Sequence, residues 1–113
     1  MALKPAPDYV SPHGLLEGRS VLVTAAAGAG IGFAAAKRVA EEGCRALFVS
    51  DVHERRLGEA VESLKRETGL TAVYGQLCDV SKQDQVDALI AAAEDKLGGI
   101  DVLINNAGLG TSK

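Results

Sequence analysis

VLVTAAAGAGIG, residues 21–32, passes from a β-branched apolar run into alternating glycines and then straight into an alanine-rich segment. Gly28, Gly30 and Gly32 let the backbone turn sharply and leave amide N–H groups exposed near a helix N-terminus, where the dipole favours an anion. The stretch reads as a phosphate cradle. Glycine-rich loops also serve as plain tight turns, so the meaning of this one rests on its flanks. Residues 20–24 read as a short buried strand, 31–42 as a helix and 45–50 as a second apolar strand, which together make one βαβ unit.

The second strand ends at Asp51, 19 residues after Gly32. At that distance beyond the glycines of a dinucleotide-binding βαβ unit, an acidic residue accepts hydrogen bonds from the adenosine ribose hydroxyls. A carboxylate there also repels a 2′-phosphate, so Asp51 argues for NAD over NADP. Arg55 and Arg56 keep NADP open, because a guanidinium beside the pocket would neutralise that phosphate. The plainer role for Asp51 is an acid at the head of the next helix.

The alternation continues. Residues 53–67 put Leu57, Val61 and Leu64 on one helical face, and Thr68-Gly69 stops the helix. Residues 70–77 read as a third strand. Ser81 and Asp84 have the spacing of a capping box, and the helix that follows aligns Val86, Leu89, Ile90, Ala93 and Leu97 until Gly98-Gly99. Residues 100–104 form a fourth strand that runs into Asn105-Asn106-Ala107-Gly108.

Helical crossovers between successive strands imply a parallel sheet. Right-handed connections then give a Rossmann-type α/β fold of strand order 3-2-1-4 with helices on both faces, cut off after strand 4. A ligand crevice belongs at the carboxyl ends of strands 1 and 4. Thr24, the glycines, Asp51, Cys78-Asp79-Val80 and Asn105 to Gly108 all fall at that end.

Composition excludes other classes. The sequence is 47% hydrophobic over 113 residues, enough for one modest core, and no apolar run approaches the ~18 residues a membrane span needs. All three prolines lie within residues 1–14, which have no apolar signal-peptide core and read as an irregular arm ahead of a domain at 15–113. A net charge of −3 with interspersed signs offers no footprint for nucleic acid. Cys44 and Cys78, far apart and without metal-ligand spacing, read as buried free thiols of a reducing, cytoplasmic protein. His13 and His53 have no partners in sequence, and no metal site is expected.

These features in this order resemble the cofactor half of a short-chain dehydrogenase/reductase. The family's TGxxxGIG-type loop, acid after strand 2, D-V pair after strand 3 and NNAG after strand 4 stand here as VTAAAGAGIG, SD, CDV and INNAG, from about Leu15 to the last residue. NNAG is the sharpest of the four and disfavours other Rossmann enzymes such as methyltransferases and epimerases. The lead HGLLEGRSVLVTAAAGAGIG with SDVHERRLGE is further similar to actinobacterial reductases, some of which act on CoA-linked steroid-ring or acyl intermediates. The resemblance implies that Gly30, Ile31 and Gly32 cover the pyrophosphate and that Asp51 binds the adenosine ribose. Asp79 and the backbone of Val80 would meet the adenine, and Asn106, Ala107 and Gly108 would line the crevice by the ribose. Thr24 and Asn105 would tie strand 1 to strand 4.

Two departures qualify the resemblance. Counted forward from Thr24 the family's first glycine is Ala25, and counted back from Gly30 it is Ala26, so the loop is one residue longer, with Gly28 as an extra flexible point. The family's Ser and Tyr-x-x-x-Lys lie beyond strand 4, and the sequence ends at Lys113. Neither Tyr9 nor Tyr74 has a lysine four residues on. The expectation is the cofactor-binding part of an NAD(P)-dependent oxidoreductase that reduces ketones or oxidises secondary alcohols, inactive alone and homo-oligomeric at full length. The alternative is a noncatalytic nucleotide- or partner-binding module completed by another chain.

Overall fold

A computed structural model describes residues 10–25 and 30–105. Strand β1 (Ser20–Val23) leads to helix α1 (Ile31–Glu41), β2 (Ala46–Asp51), α2 (Glu54–Thr68), β3 (Val73–Leu77), α3 (Gln83–Leu97) and β4 (Val102–Ile104). The four strands form one parallel sheet in the order β3-β2-β1-β4, as the crossover argument requires.

Alternation along each strand sorts the side chains into two cores. Val21, Val23, Leu47, Val49 and Val73 pack against Ala36, Val39 and Ala40 of α1 and Leu57 and Leu64 of α2. On the opposite face Leu22, Ala46 and Phe48 meet Leu89, Ala93 and Leu97 of α3. Burial on both faces is why β1 and β2 read as unbroken apolar runs. Among the described residues no helix is long and apolar enough to cross a membrane.

Helix α2 lies close against β3. A Cβ placed on Gly75 would stand 2.9 Å from Val61 Cγ2 and 3.1 Å from Leu57 Cδ1, so the absent side chain sets the spacing of helix and strand. The C-termini of α2 and α3 close on left-handed Gly69 and Gly98, whose amides donate to Lys65 and Glu94.

Residues 10–14 form neither helix nor strand, yet they are fastened to the domain. Glu42 is 3% exposed, and its Oε1 accepts the amides of His13 (2.9 Å) and Leu15 (3.0 Å) while Oε2 meets Arg38 at 2.7 Å. Arg38 in turn donates to the carbonyls of Val10 and Ser11. These bonds hold the Glu42 carboxyl below its usual range, the Leu15 amide having the largest effect. At the amino end of the sheet Asp101 Oδ2 accepts the Ser20 amide and hydroxyl, joining β1 to the turn before β4.

Three sequence expectations shift. Residues 70–72 lie outside β3, and residues 100 and 101 lie outside β4. The expected capping box at Ser81 does not form: the N-cap of α3 is Lys82, without a side-chain cap, and the Ser81 hydroxyl goes to Asp79 instead.

Candidate functional site

A parallel sheet places the carboxyl ends of all its strands along one edge. Thr24, Asp51, Asp79-Val80 and Asn105 therefore share one end of the molecule with the N-terminus of α1. Gly28, Asn106, Ala107 and Gly108 lie outside the described residues.

Among the described residues no side chain caps the start of α1. Gly30 is its N-cap in extended geometry (φ −89°, ψ −170°), with no side-chain cap and no acid in the first turn. The first amides of a helix have no intrahelical acceptor, so Ile31, Gly32 and Phe33 offer donors at the positive end of the dipole. No described residue outside its chain neighbours lies within 4 Å of where a Gly30 Cβ would stand. Ile31 is 79% exposed beside it, whereas Gly32 is buried.

Ala25 takes φ 53°, the only positive value at a non-glycine among the described residues. It occupies the position of the family's first glycine when the loop is counted from Thr24. A left-handed alanine costs on the order of 1 kcal/mol. Just before it, the Thr24 amide donates to Ile104 O (3.1 Å) and its hydroxyl to Asn105 Oδ1 (3.0 Å). Thr24 and Asn105 thus make the tie between strands 1 and 4.

Asp51 is half-buried at the end of β2, and its Oδ1 accepts the His53 amide at 3.1 Å, which turns the chain into α2. Its carbonyl accepts the Cys78 amide at 2.9 Å and so fixes the next loop beside it. Arg55 points into solvent and pairs with Glu59 at 3.4 Å.

In the loop after β3, Asp79 Oδ1 takes both the amide (3.0 Å) and the hydroxyl (2.6 Å) of Ser81. The Ser81 hydroxyl, and after it the amide, hold the Asp79 carboxyl below its ordinary range. The Asp79 amide donates to Gln85 Oε1 at 2.8 Å, and the Lys82 amide to Asp79 O at 3.0 Å. Sequence reasoning missed Gln85. Its signal was position, since a glutamine in the first turn of a helix reaches back to preceding amides. Beside this loop a depression of about 240 Å³ runs between α3 and β4, lined by Val80, Val86, Ile90 and Leu103.

Both cysteines are buried free thiols, as expected. Burial pushes Cys44 up to about 11, while burial and then the charge of Asp79 raise Cys78. Neither is a ready nucleophile at neutral pH. Among the described residues no group of His, Cys, Asp and Glu would hold a metal ion.

The profile described as short chain dehydrogenase matches residues 19–113. The chain is 51% identical over 110 residues to a Mycobacterium tuberculosis (5R,7aS)-5-hydroxy-7a-methyl-1-oxo-2,3,5,6,7,7a-hexahydro-1H-indene-carboxyl-CoA reductase, covering 97% of this chain and 41% of that protein. A short chain dehydrogenase from Mycobacterium smegmatis superposes with a TM-score of 0.87 at 50% identity, over 96% of this chain and 44% of that one. L-sorbose reductase from Gluconobacter frateurii, solved with NADPH and L-sorbose, superposes at 0.76 with 33% identity over 87% of this chain and 36% of its own. The chain therefore spans well under half the length of these relatives. With the sheet order, the start of α1 that no described side chain caps and the acids after β2 and β3 already in place, the match over residues 19–113 makes this chain a member of the short-chain dehydrogenase family.

Proposed function

We propose that this chain is the cofactor-binding part of an oxidoreductase that moves a hydride between a nicotinamide dinucleotide and a ketone or secondary alcohol. The observation that carries this reading is that the N-terminus of α1, with no side-chain cap among the described residues and no acid in its first turn, shares the carboxyl end of the sheet with the Asp51 carboxylate, an anion site and a hydroxyl acceptor at one end of the fold. The residues fit the group: Gly30 leaves room for a pyrophosphate, and the amides of Ile31 and Gly32 would bind its oxygens. Asp51 would accept the adenosine ribose hydroxyls, and Asp79 with Val80 would read the adenine. Asn106, Ala107 and Gly108 would line the ribose side of the crevice. When bound, the dinucleotide supplies or takes up the hydride.

NAD is the preferred form in this reading. Asp51 would repel a 2′-phosphate, and Arg55 pairs with Glu59. The acid/base residues that act on the substrate oxygen belong to the part of the family fold beyond β4. The identity with the mycobacterial reductase favours, for the whole protein, a substrate whose carbonyl or hydroxyl sits on a CoA-linked ring system.

Calorimetric titration of the full chain with NAD and NADP tests the assignment. NAD is expected to bind at least about tenfold tighter, and Asp51→Ala to weaken NAD and erase that ratio. NAD binding that survives Asp51→Ala unchanged would remove Asp51 from the site.

A further inference from the structure

In the loop after β3 four of the five backbone amides from Cys78 to Lys82 are committed. The amide of Cys78 goes to Asp51 O, that of Asp79 to Gln85 Oε1, that of Ser81 to Asp79 Oδ1 and that of Lys82 to Asp79 O. Of the backbone amides and carboxylate oxygens of this loop, two are left without a hydrogen bond among the described residues: the Val80 amide and Asp79 Oδ2. An acceptor and a donor thus stand one residue apart on the same turn.

We infer that Gln85 is a positioning residue which, with Ser81, holds this acceptor–donor pair in the order that favours a 6-aminopurine over a 6-oxopurine; the inference rests on the dinucleotide reading above. A 6-aminopurine presents an exocyclic N–H donor beside the ring N1 acceptor, complementary to a carboxylate oxygen beside an amide N–H. A 6-oxopurine presents the reverse, an acceptor beside an N–H, so both contacts become mismatched. Ser81 occupies Oδ1 with two donors and leaves Oδ2 as the acceptor. Gln85 sits in the first turn of α3, and its Oε1 fixes the plane of the peptide that carries the Asp79 N–H. Without that acceptor the Asp79 amide must find another partner, and the peptide can rotate away from the geometry that aims Asp79 and Val80 together.

A purely structural role for Gln85, closing the N-terminus of α3, would lower stability without changing base preference. The test therefore reads a ratio. The isotope-labelled full chain is titrated with ADP-ribose and with its hypoxanthine counterpart, IDP-ribose, and affinities are taken from amide shifts. Wild type is expected to prefer the adenine ligand by about tenfold or more. Gln85→Leu should bring the two within about twofold, Gln85→Glu, which keeps an acceptor oxygen, should retain the preference, and Ser81→Ala should fall between. Retention of the wild-type ratio in Gln85→Leu, or its loss in Gln85→Glu, overturns the inference. Should Gln85→Leu not fold, an unchanged ratio in Ser81→Ala overturns it and a reduced one supports it. Equal affinity of wild type for both ligands removes this inference alone; binding of neither removes the dinucleotide reading and the inference with it.

Discussion

The two faces of the sheet are made of the same residue types but are closed to different degrees. On the α1/α2 face Val21, Val23, Leu47, Val49 and Leu64 are fully buried, and Leu16 of the leading segment packs against their edge. On the other face a single helix, α3, covers Leu22 and Phe48 well, but Leu103 of β4 stays 53% exposed and Val86 and Ile90 are only half-covered. Leu22 and Leu103 are paired neighbours in register, so one residue position along the sheet separates a sealed core from an open groove. Among the described residues no second helix packs on the β4 side, and the chain spans 41% of its mycobacterial relative.

Substitutions should expose this asymmetry. The largest effect is expected for Leu64→Ala, which empties a fully buried site and should cost about 2–5 kcal/mol, against less than about 1 kcal/mol for Leu103→Gln, both by urea unfolding. Equal costs would mean that the groove beside β4 is closed in solution. Gly75→Ala should follow at about 1–3 kcal/mol, because the new methyl meets Val61 at 2.9 Å on the closed face. A cost near zero would show that α2 can move off β3.

Acid should loosen the segment that seals the closed face. The folded pKa of Glu42 lies below its unfolded value of 4.5, so the unfolded state binds more protons between the two. The stabilisation is therefore complete above about pH 4.5 and lost as pH falls through the folded value. Comparing Glu42→Gln with wild type across that range should show a difference in stability at neutral pH that closes on acidification; a difference independent of pH would contradict the charged contact. Ala25→Gly is the smallest change, expected to stabilise by about 0.5 kcal/mol once the relief of a left-handed alanine is set against the added freedom of the unfolded chain. Destabilisation there would mean that the positive φ is not the resting conformation.

The element order was legible because apolar periodicity switches cleanly between strand and helix and glycines stand at the helix ends. The acids at the strand ends were legible for related reasons, since Asp51 stands at the expected distance from the glycines and Asp79 follows the third strand in the D-V pair of the family pattern. What failed was local competition between hydrogen bonds. Ser81 satisfies the capping-box spacing with Asp84, but its hydroxyl and amide both donate to Asp79 Oδ1 two residues earlier instead, and the helix starts after Lys82 without a side-chain cap. Arg38 and Glu42 look like an ordinary surface pair four residues apart on a helix. Their role in fastening residues 10–15 depends on where that segment lies, which no periodicity encodes. Gln85 was hidden in the same way, as its partner is a backbone amide rather than a side chain.

The central claim, that the carboxyl end of the sheet and not the open groove is the binding site, is tested most directly by mapping amide shifts of the full chain on addition of NAD. The account predicts the largest changes at Gly30, Ile31, Gly32, Asp51 and Asp79. Changes confined to Val86, Ile90 and Leu103, or to Ser20 and Asp101 at the opposite end, would contradict it.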